Sequence, residues 1–207
     1  NGARDEKLRE RLIAFGREMS WHPDFMRVRY ENWTEGLTGD WLVSRQRVFG
    51  VPIPVWYGLD AQGERDYAKV IVPDLADLPV DPTVDVPAGY TEDQRGVPGG
   101  FDAERDIFDT WATSSLTPQL VGGWERDEDL WNLVSPFDLR PQGQDIIRTW
   151  LFSTMLRSVL EDDRAPWTDA AVSGFIVDPD RKKMSKSKGN VVTPADILST
   201  HGSDAVR

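Results

Sequence analysis

The sequence predicts an α/β fold with a mostly parallel sheet, plus a β-hairpin and loop-rich insertion. Three observations carry that expectation. In the second half, apolar strand candidates alternate with amphipathic helical stretches, the order that a parallel sheet needs. A run rich in Pro, Asp and Gly over 73–105 separates that half from an earlier hairpin pattern. Nine Trp, eight Phe and four Tyr supply the bulky apolar surface of a packed core.

Taken in order, residues 3–20 read as a helix, with Leu8, Leu12, Phe15 and Met19 on one face. The run from Trp21 to Asp24 breaks it, and Asp24 is placed to cap a second helix reaching about Leu37. Gly39-Asp40 is a turn. From Trp41 to Tyr57, two prolines around Ile53 favour an extended edge or loop path. Residues 60–63 form a hairpin tip, and Tyr67 to Val72 return as its second strand. The 73–105 connection is expected to wrap the surface with little core of its own. Asp106 to Pro118 starts as a short helical or turn segment and stops at Pro118, and Leu133 to Phe137 enter a strand. The run 138–145 is a strand-to-helix turn. The helix from Asp145 to Leu160 presents Ile146, Trp150, Leu151, Met155 and Val159 on one broad face. Ala170 to Val177 is a further strand, 178–190 a polar basic loop, and Thr193-Pro194 opens another helix. The expected divisions are 1–40, 41–105 and 106–207.

Composition narrows the chemistry. The lack of Cys excludes thiolate metal sites and disulfides, and having only His22 and His201 in 207 residues argues against imidazole-rich centres. A net charge of −11 argues against non-specific coating of nucleic acid or an anionic membrane. No run reaches the roughly 20 apolar residues of a membrane span, and no secretory signal is visible, so a cytoplasmic setting is expected. The ends at Asn1 and Arg207 read as the limits of a piece of something longer.

Against this acidic background, Arg181-Lys182-Lys183-Met184-Ser185-Lys186-Ser187-Lys188 concentrates five cations. Ser185, Ser187 and the Gly189 that follows make it flexible, so it reads as a mobile cationic arm suited to a transient polyanion. An ammonium 4 Å from a phosphate oxygen is worth about 4 kcal/mol at an effective dielectric near 20. The competing reading is a solvated basic loop or a targeting run.

Lys183-Met184-Ser185-Lys186-Ser187 is identical to the second signature of the class I aminoacyl-tRNA synthetases. The stretch Trp41 to Tyr57 resembles the segment where the valyl, isoleucyl and leucyl members return from their editing insertion. Asp106 to Leu116, Gly143 to Trp150, Ser173 to Val177 and Lys188 to Pro194 resemble further family segments, in the family's order. Together they cover about residues 27–207. Ile146, where the isoleucyl type has Gln, makes the valyl branch the nearest.

The resemblance implies the second half of a Rossmann-like nucleotide-binding domain, after the editing insertion. It implies ATP as substrate with Mg2+ accompanying it, valine and tRNA(Val) as partners, and the rest of a synthetase polypeptide. It assigns Lys183 and Lys186 to the departing pyrophosphate, and Gly143, Asp145, Met184, Ser185 and Ser187 to ATP binding. Trp111, Ile146 and Trp150 become walls of the amino-acid pocket, although each tryptophan also suits a core and Asp145 also suits a helix cap. The family's His-x-Gly-His signature is absent, so the piece alone should not adenylate. Many relatives carry a Cys-x-x-Cys zinc knuckle after the residues matching Trp56-Tyr57. Here Gly58 to Arg65 occupy that place, and no zinc is expected. Isoleucyl or leucyl specificity, or a nucleotide- or RNA-binding module without catalysis, are the alternatives.

Overall fold

A computed structural model describes residues 5–206, apart from the side chain of Lys186. Helix α1 (Glu6–Glu18) starts where the Asp5 carboxylate accepts the Leu8 amide N–H at 2.9 Å. It buries Leu8, Leu12 and Gly16 against α2 (Met26–Glu35). Gly16 is needed there, because an added Cβ would strike the Tyr30 ring. Between these helices the sequence predicts only a break, yet Ser20–His22 forms a strand, β1. Three residues are too few for a readable period of two; pairing with a distant strand makes β1. The side chain of Asp24 does not cap α2, whose cap position is Phe25.

The extended path then gives β2 (Ser44–Arg45), β3 (Trp56–Leu59) and β4 (Arg65–Ile71), with Asp60 Oδ1 accepting the Gln62 and Glu64 N–H groups at the hairpin tip. A third strand, β5 (Phe101–Ala103), joins the hairpin to give the antiparallel order β4-β3-β5. The 73–105 connection therefore differs from expectation. It returns Phe101 and Ala103 beside Trp56 in a second small core, with Val80, Val86 and Tyr90 packed around it. The Trp56 indole N–H donates to the Pro82 carbonyl at 3.1 Å. Scattered apolar residues among prolines hide such a core from pattern reading.

Next come β6 (Ile107–Phe108), antiparallel to β2, and the short helices α3 (Thr110–Ser114), α4 (Thr117–Gly122) and α5 (Glu128–Val134). Pro118 opens α4 instead of merely ending α3. Leu133 is helical, because Asp127 caps α5 by accepting the Leu130 N–H at 3.0 Å. The strand that follows, β7 (Phe137–Gly143), leads through a 3-10 turn (Gln144–Ile146) and a π turn (Ile147–Leu151) into α6 (Phe152–Glu161). Strand β8 (Trp167–Ser173) starts three residues and ends four residues earlier than expected. Helices α7 (Pro194–His201) and α8 (Ser203–Val206) close the chain.

Strands β1, β8 and β7 form one parallel sheet in that order. Its main core joins Leu12, Trp21 and Tyr30 to Ile147, Leu151, Met155, Val159 and Ala170. At about 25 cal/mol per Å² of apolar surface removed from water, this cluster is the chief stabilising element. The outcome is a mixed α/β architecture built on a parallel sheet. No helix among the described residues is long and apolar enough to cross a membrane.

Candidate active site

The carboxyl ends of the three parallel strands meet at His22, Gly143 and Ser173, which share one shallow groove. Ligands in open α/β sheets bind at such an edge. Gly143 pairs in register with Ser173, so the turn after β7 and the exit from β8 are neighbours. Asp145 is exposed in the 3-10 turn, and its carboxylate folds back over Gly143: a Cβ on Gly143 would lie 2.7 Å from Asp145 Oδ1. The side chain of Asp145 is not a helix cap in this arrangement.

From Ser173 the chain runs directly into the lysine-rich loop, which is folded and not a featureless arm. Asp178 Oδ1 accepts the Lys182 amide N–H at 2.8 Å, and Asp178 Oδ2 accepts from Asn190 Nδ2 at 2.8 Å. Asn190 Oδ1 in turn accepts the Ser185 amide N–H at 3.0 Å. These bonds hold the Asp178 carboxyl below its usual range, the Asn190 amide first and the Lys182 backbone N–H next. Lys183 lays its ammonium over the Phe175 ring, 3.9 Å from the centroid. Met184 Sδ accepts the Val192 N–H, and the Ser185 and Ser187 hydroxyls lie 3.3 Å apart. The expectation for the Lys186 side chain lies outside the described residues. The Asp178–Asn190 clamp was missed in sequence, where both residues read as ordinary loop polars.

A cavity of about 660 Å³ opens beside α3. Trp33, Arg45, Asp109, Trp111, Arg148 and Phe152 are among its walls. Asp109 is buried, caps α3 through the Trp111 N–H at 2.8 Å, and pairs with Arg45. That pair ties the extended 41–45 stretch to the start of α3 and so sets where Trp111 stands. The π turn aims Arg148 and Thr149 at the cavity while Ile147 goes to the core.

Of the three expected pocket residues, Trp111 lines this cavity and Ile146 and Trp150 do not. The physical reason is the π turn, whose wider winding breaks the helical spacing that grouped Ile146 with Trp150. Trp150 lies beneath α3 instead, its indole N–H donating to the Ser114 carbonyl at 3.0 Å.

Comparison with known proteins supplies the family. The sequence model of the tRNA synthetases class I (I, L, M and V) matches residues 3–207. The chain belongs to the class I tRNA synthetases. Among its relatives, the valine–tRNA ligase of Leifsonia xyli subsp. xyli is 72% identical over 207 residues, which are 100% of this chain and 24% of that protein. The valine–tRNA ligase of Thermobifida fusca is 64% identical over the same coverage. The chain thus spans about a quarter of the length of these relatives.

Two solved synthetase structures share the fold. A leucyl-tRNA synthetase of Agrobacterium radiobacter K84, in a ternary complex with tRNA and LeuAMS, superposes with a TM-score of 0.60 at 23% identity, over 82% of this chain and 24% of that one. The Mycobacterium tuberculosis methionyl-tRNA synthetase bound by methionyl-adenylate gives 0.54 at 18% identity, over 93% and 29%. Both are class I synthetases with a Rossmann-like domain, in keeping with the parallel sheet described above.

Proposed function

We propose that this chain is part of a valine–tRNA ligase, and that it contributes the ribose contacts, part of the amino-acid pocket and the pyrophosphate loop. One observation carries the reading: 72% identity to a valine–tRNA ligase across the whole chain, with Lys183-Met184-Ser185-Lys186-Ser187 intact.

In this reading a valine carboxylate oxygen attacks the α-phosphorus of ATP. The bond to the bridging oxygen breaks, and pyrophosphate leaves with the electron pair. The adenylate then passes its acyl group to a ribose hydroxyl at the 3′ end of tRNA(Val), releasing AMP. Neither step uses a protein nucleophile, which suits a chain without Cys and with two His. Lys183 and Lys186 meet the charge that builds on the leaving pyrophosphate, where one well-aimed donor contributes about 3–4 kcal/mol. Met184, Ser185 and Ser187 shape the same loop. Gly143 allows the adenosine close to the backbone, and Asp145 accepts from ribose hydroxyls or from the substrate ammonium. Trp111 is the wall that limits side-chain size, and Trp150 supports it from beneath α3 through the Ser114 carbonyl.

No group of three His, Cys, Asp or Glu among the described residues is arranged to hold a metal ion. In this reading Mg2+ accompanies the ATP phosphates, as the resemblance implies, and no step is routed through it. The setting proposed is the cytoplasm.

The test is amino-acid-dependent ATP–pyrophosphate exchange by the full-length enzyme. Valine should support exchange at least tenfold better than isoleucine, since one methylene in a tight pocket is worth about 1–3 kcal/mol. Equal exchange with isoleucine overturns the valine assignment.

A further inference from the structure

Arg140 has no role in the activity above, yet its placement is unusual. It projects from the middle of β7, pairs in register with Ala170, and is only 8% exposed. Its Nε and Nη2 have no hydrogen-bond partner among the described residues. Burial pulls the guanidinium down to about 9, and no salt bridge to it is formed among the described residues. A buried cation without a carboxylate costs stability. What it does have is aromatic surface: the guanidinium lies against the face of the Trp150 ring and 5.3 Å from the centroid of Trp167 on β8.

Trp150 passes that contact on. Its indole N–H holds the Ser114 carbonyl at the end of α3. One helical turn along, the Ser153 hydroxyl donates to the Thr149 carbonyl at 2.5 Å and lies 3.3 Å from the Trp111 carbonyl, in contact with α3. Trp111 itself stands in the cavity wall. A continuous stack thus runs from the sheet through Arg140 and Trp150 to the backbone of α3 and its tryptophan. A guanidinium suits this role because it is planar, polarised and weakly hydrated, so it can bear on an indole face in a dry site.

We infer that Arg140 is a positioning residue for amino-acid selection, fixing the plane of Trp150 so that α3 holds Trp111 at the distance a small branched side chain requires. The inference rests on the proposed valine-activating function and goes beyond it, by naming a residue that sets pocket size without touching the substrate.

The experiment is steady-state ATP–pyrophosphate exchange by the full-length enzyme with R140M, R140K, W150F and the R140M/W150F pair. R140M should raise KM for valine about tenfold and lower the preference for valine over isoleucine by a similar factor, with KM for ATP within about twofold. Its melting temperature should stay level or rise, because the change removes a buried charge that has no carboxylate partner among the described residues. R140K, which keeps charge but loses the plane, should fall between wild type and R140M. The double variant should be no worse than R140M, since both changes break one stack.

Equal shifts in both KM values, or full additivity in the double variant, overturn the inference. So does activity lost only in step with melting temperature. If R140M does not fold, R140K carries the test, and an unchanged KM for valine or equal shifts in both KM values there overturn it. A wild-type enzyme that exchanges with no preference for valine sinks the parent reading instead, so the two failures are distinct.

Discussion

Residues 137–172 and residues 174–206 adjoin in sequence and differ sharply in burial. The first stretch holds the strands β7 and β8 and helix α6, and contributes Ile147, Leu151, Met155, Val159 and Ala170 to the core. In the second, no described residue is buried, and Ile197 and Leu198 in α7 remain 44% and 41% exposed. Packing fixes the first and local hydrogen bonds fix the second. The division matches the two tasks proposed for them: a rigid edge that positions adenosine and the amino acid, and a charged loop that can change shape as pyrophosphate leaves.

That contrast can be broken by truncation in each stretch. Leu151→Ala should cost about 2–5 kcal/mol of stability, the range for emptying a fully buried leucine site. Leu198→Ala should cost no more than about 0.5 kcal/mol, as for a surface position. Chemical denaturation of the two variants measures both. Comparable losses would mean that α7 is packed as tightly as α6 and that the two stretches form one cooperative unit.

Activity should sort the opposite way. Lys186→Ala in the full-length enzyme is expected to lower exchange by about 10²–10³-fold, the effect of removing one donor from developing charge. Its melting temperature should move by less than about 2 °C, since no core depends on that loop. Normal exchange with a large loss of stability would make the loop a structural brace.

What the sequence revealed follows the same line. The lysine-rich loop was legible because its signal is local: charge and a fixed string of neighbours, with no dependence on packing. Helices α1 and α7 and the β3–β4 hairpin were legible from periodicity and turn residues alone. Strand β1 was not, because three residues carry no period and only the partner β8 makes them a strand. The second core was hidden in the same way, since Trp56 and Phe101 lie 45 residues apart among prolines. Ile146 and Trp150 fell outside the cavity because a π turn cannot be foreseen from a pattern that assumes 3.6 residues per turn. Arg45 and Asp109 left a trace, a capping Asp before Thr-Trp, but their pairing spans 64 residues.

Between the extremes lies the Asp178–Asn190 clamp, which is local in contact yet holds the loop in shape. Asp178→Asn keeps the size of the side chain but removes its charge and part of its accepting capacity. Exchange should fall about tenfold, equivalent to about 1.4 kcal/mol, with the melting point nearly unchanged. Wild-type exchange in that variant would separate loop shape from loop function.

The smallest expected effect is a pH dependence, and it compares the two stretches within one titration. Asp178 in the loop and Asp169 on β8 are both held below the ordinary carboxylate range. In Asp169 the His22 ring is the main cause, Nε2 to Oδ1 at 2.7 Å, followed by the Thr168 hydroxyl. In Asp178 the cause is Asn190, then the Lys182 N–H. A depressed folded-state pKa contributes stability above the unfolded value of about 3.9 and loses it as pH falls through the folded value. Acid should therefore release the Lys182 and Ser185 amides to hydrogen exchange as Asp178 protonates below about pH 4. Asn190→Ala should return Asp178 toward the ordinary range and leave Asp169 depressed, because no bond connects the two pairs among the described residues. Carboxylate titration by NMR reads both at once. If both move together in that variant, the loop and the sheet edge are coupled, and the division by burial does not extend to their electrostatics.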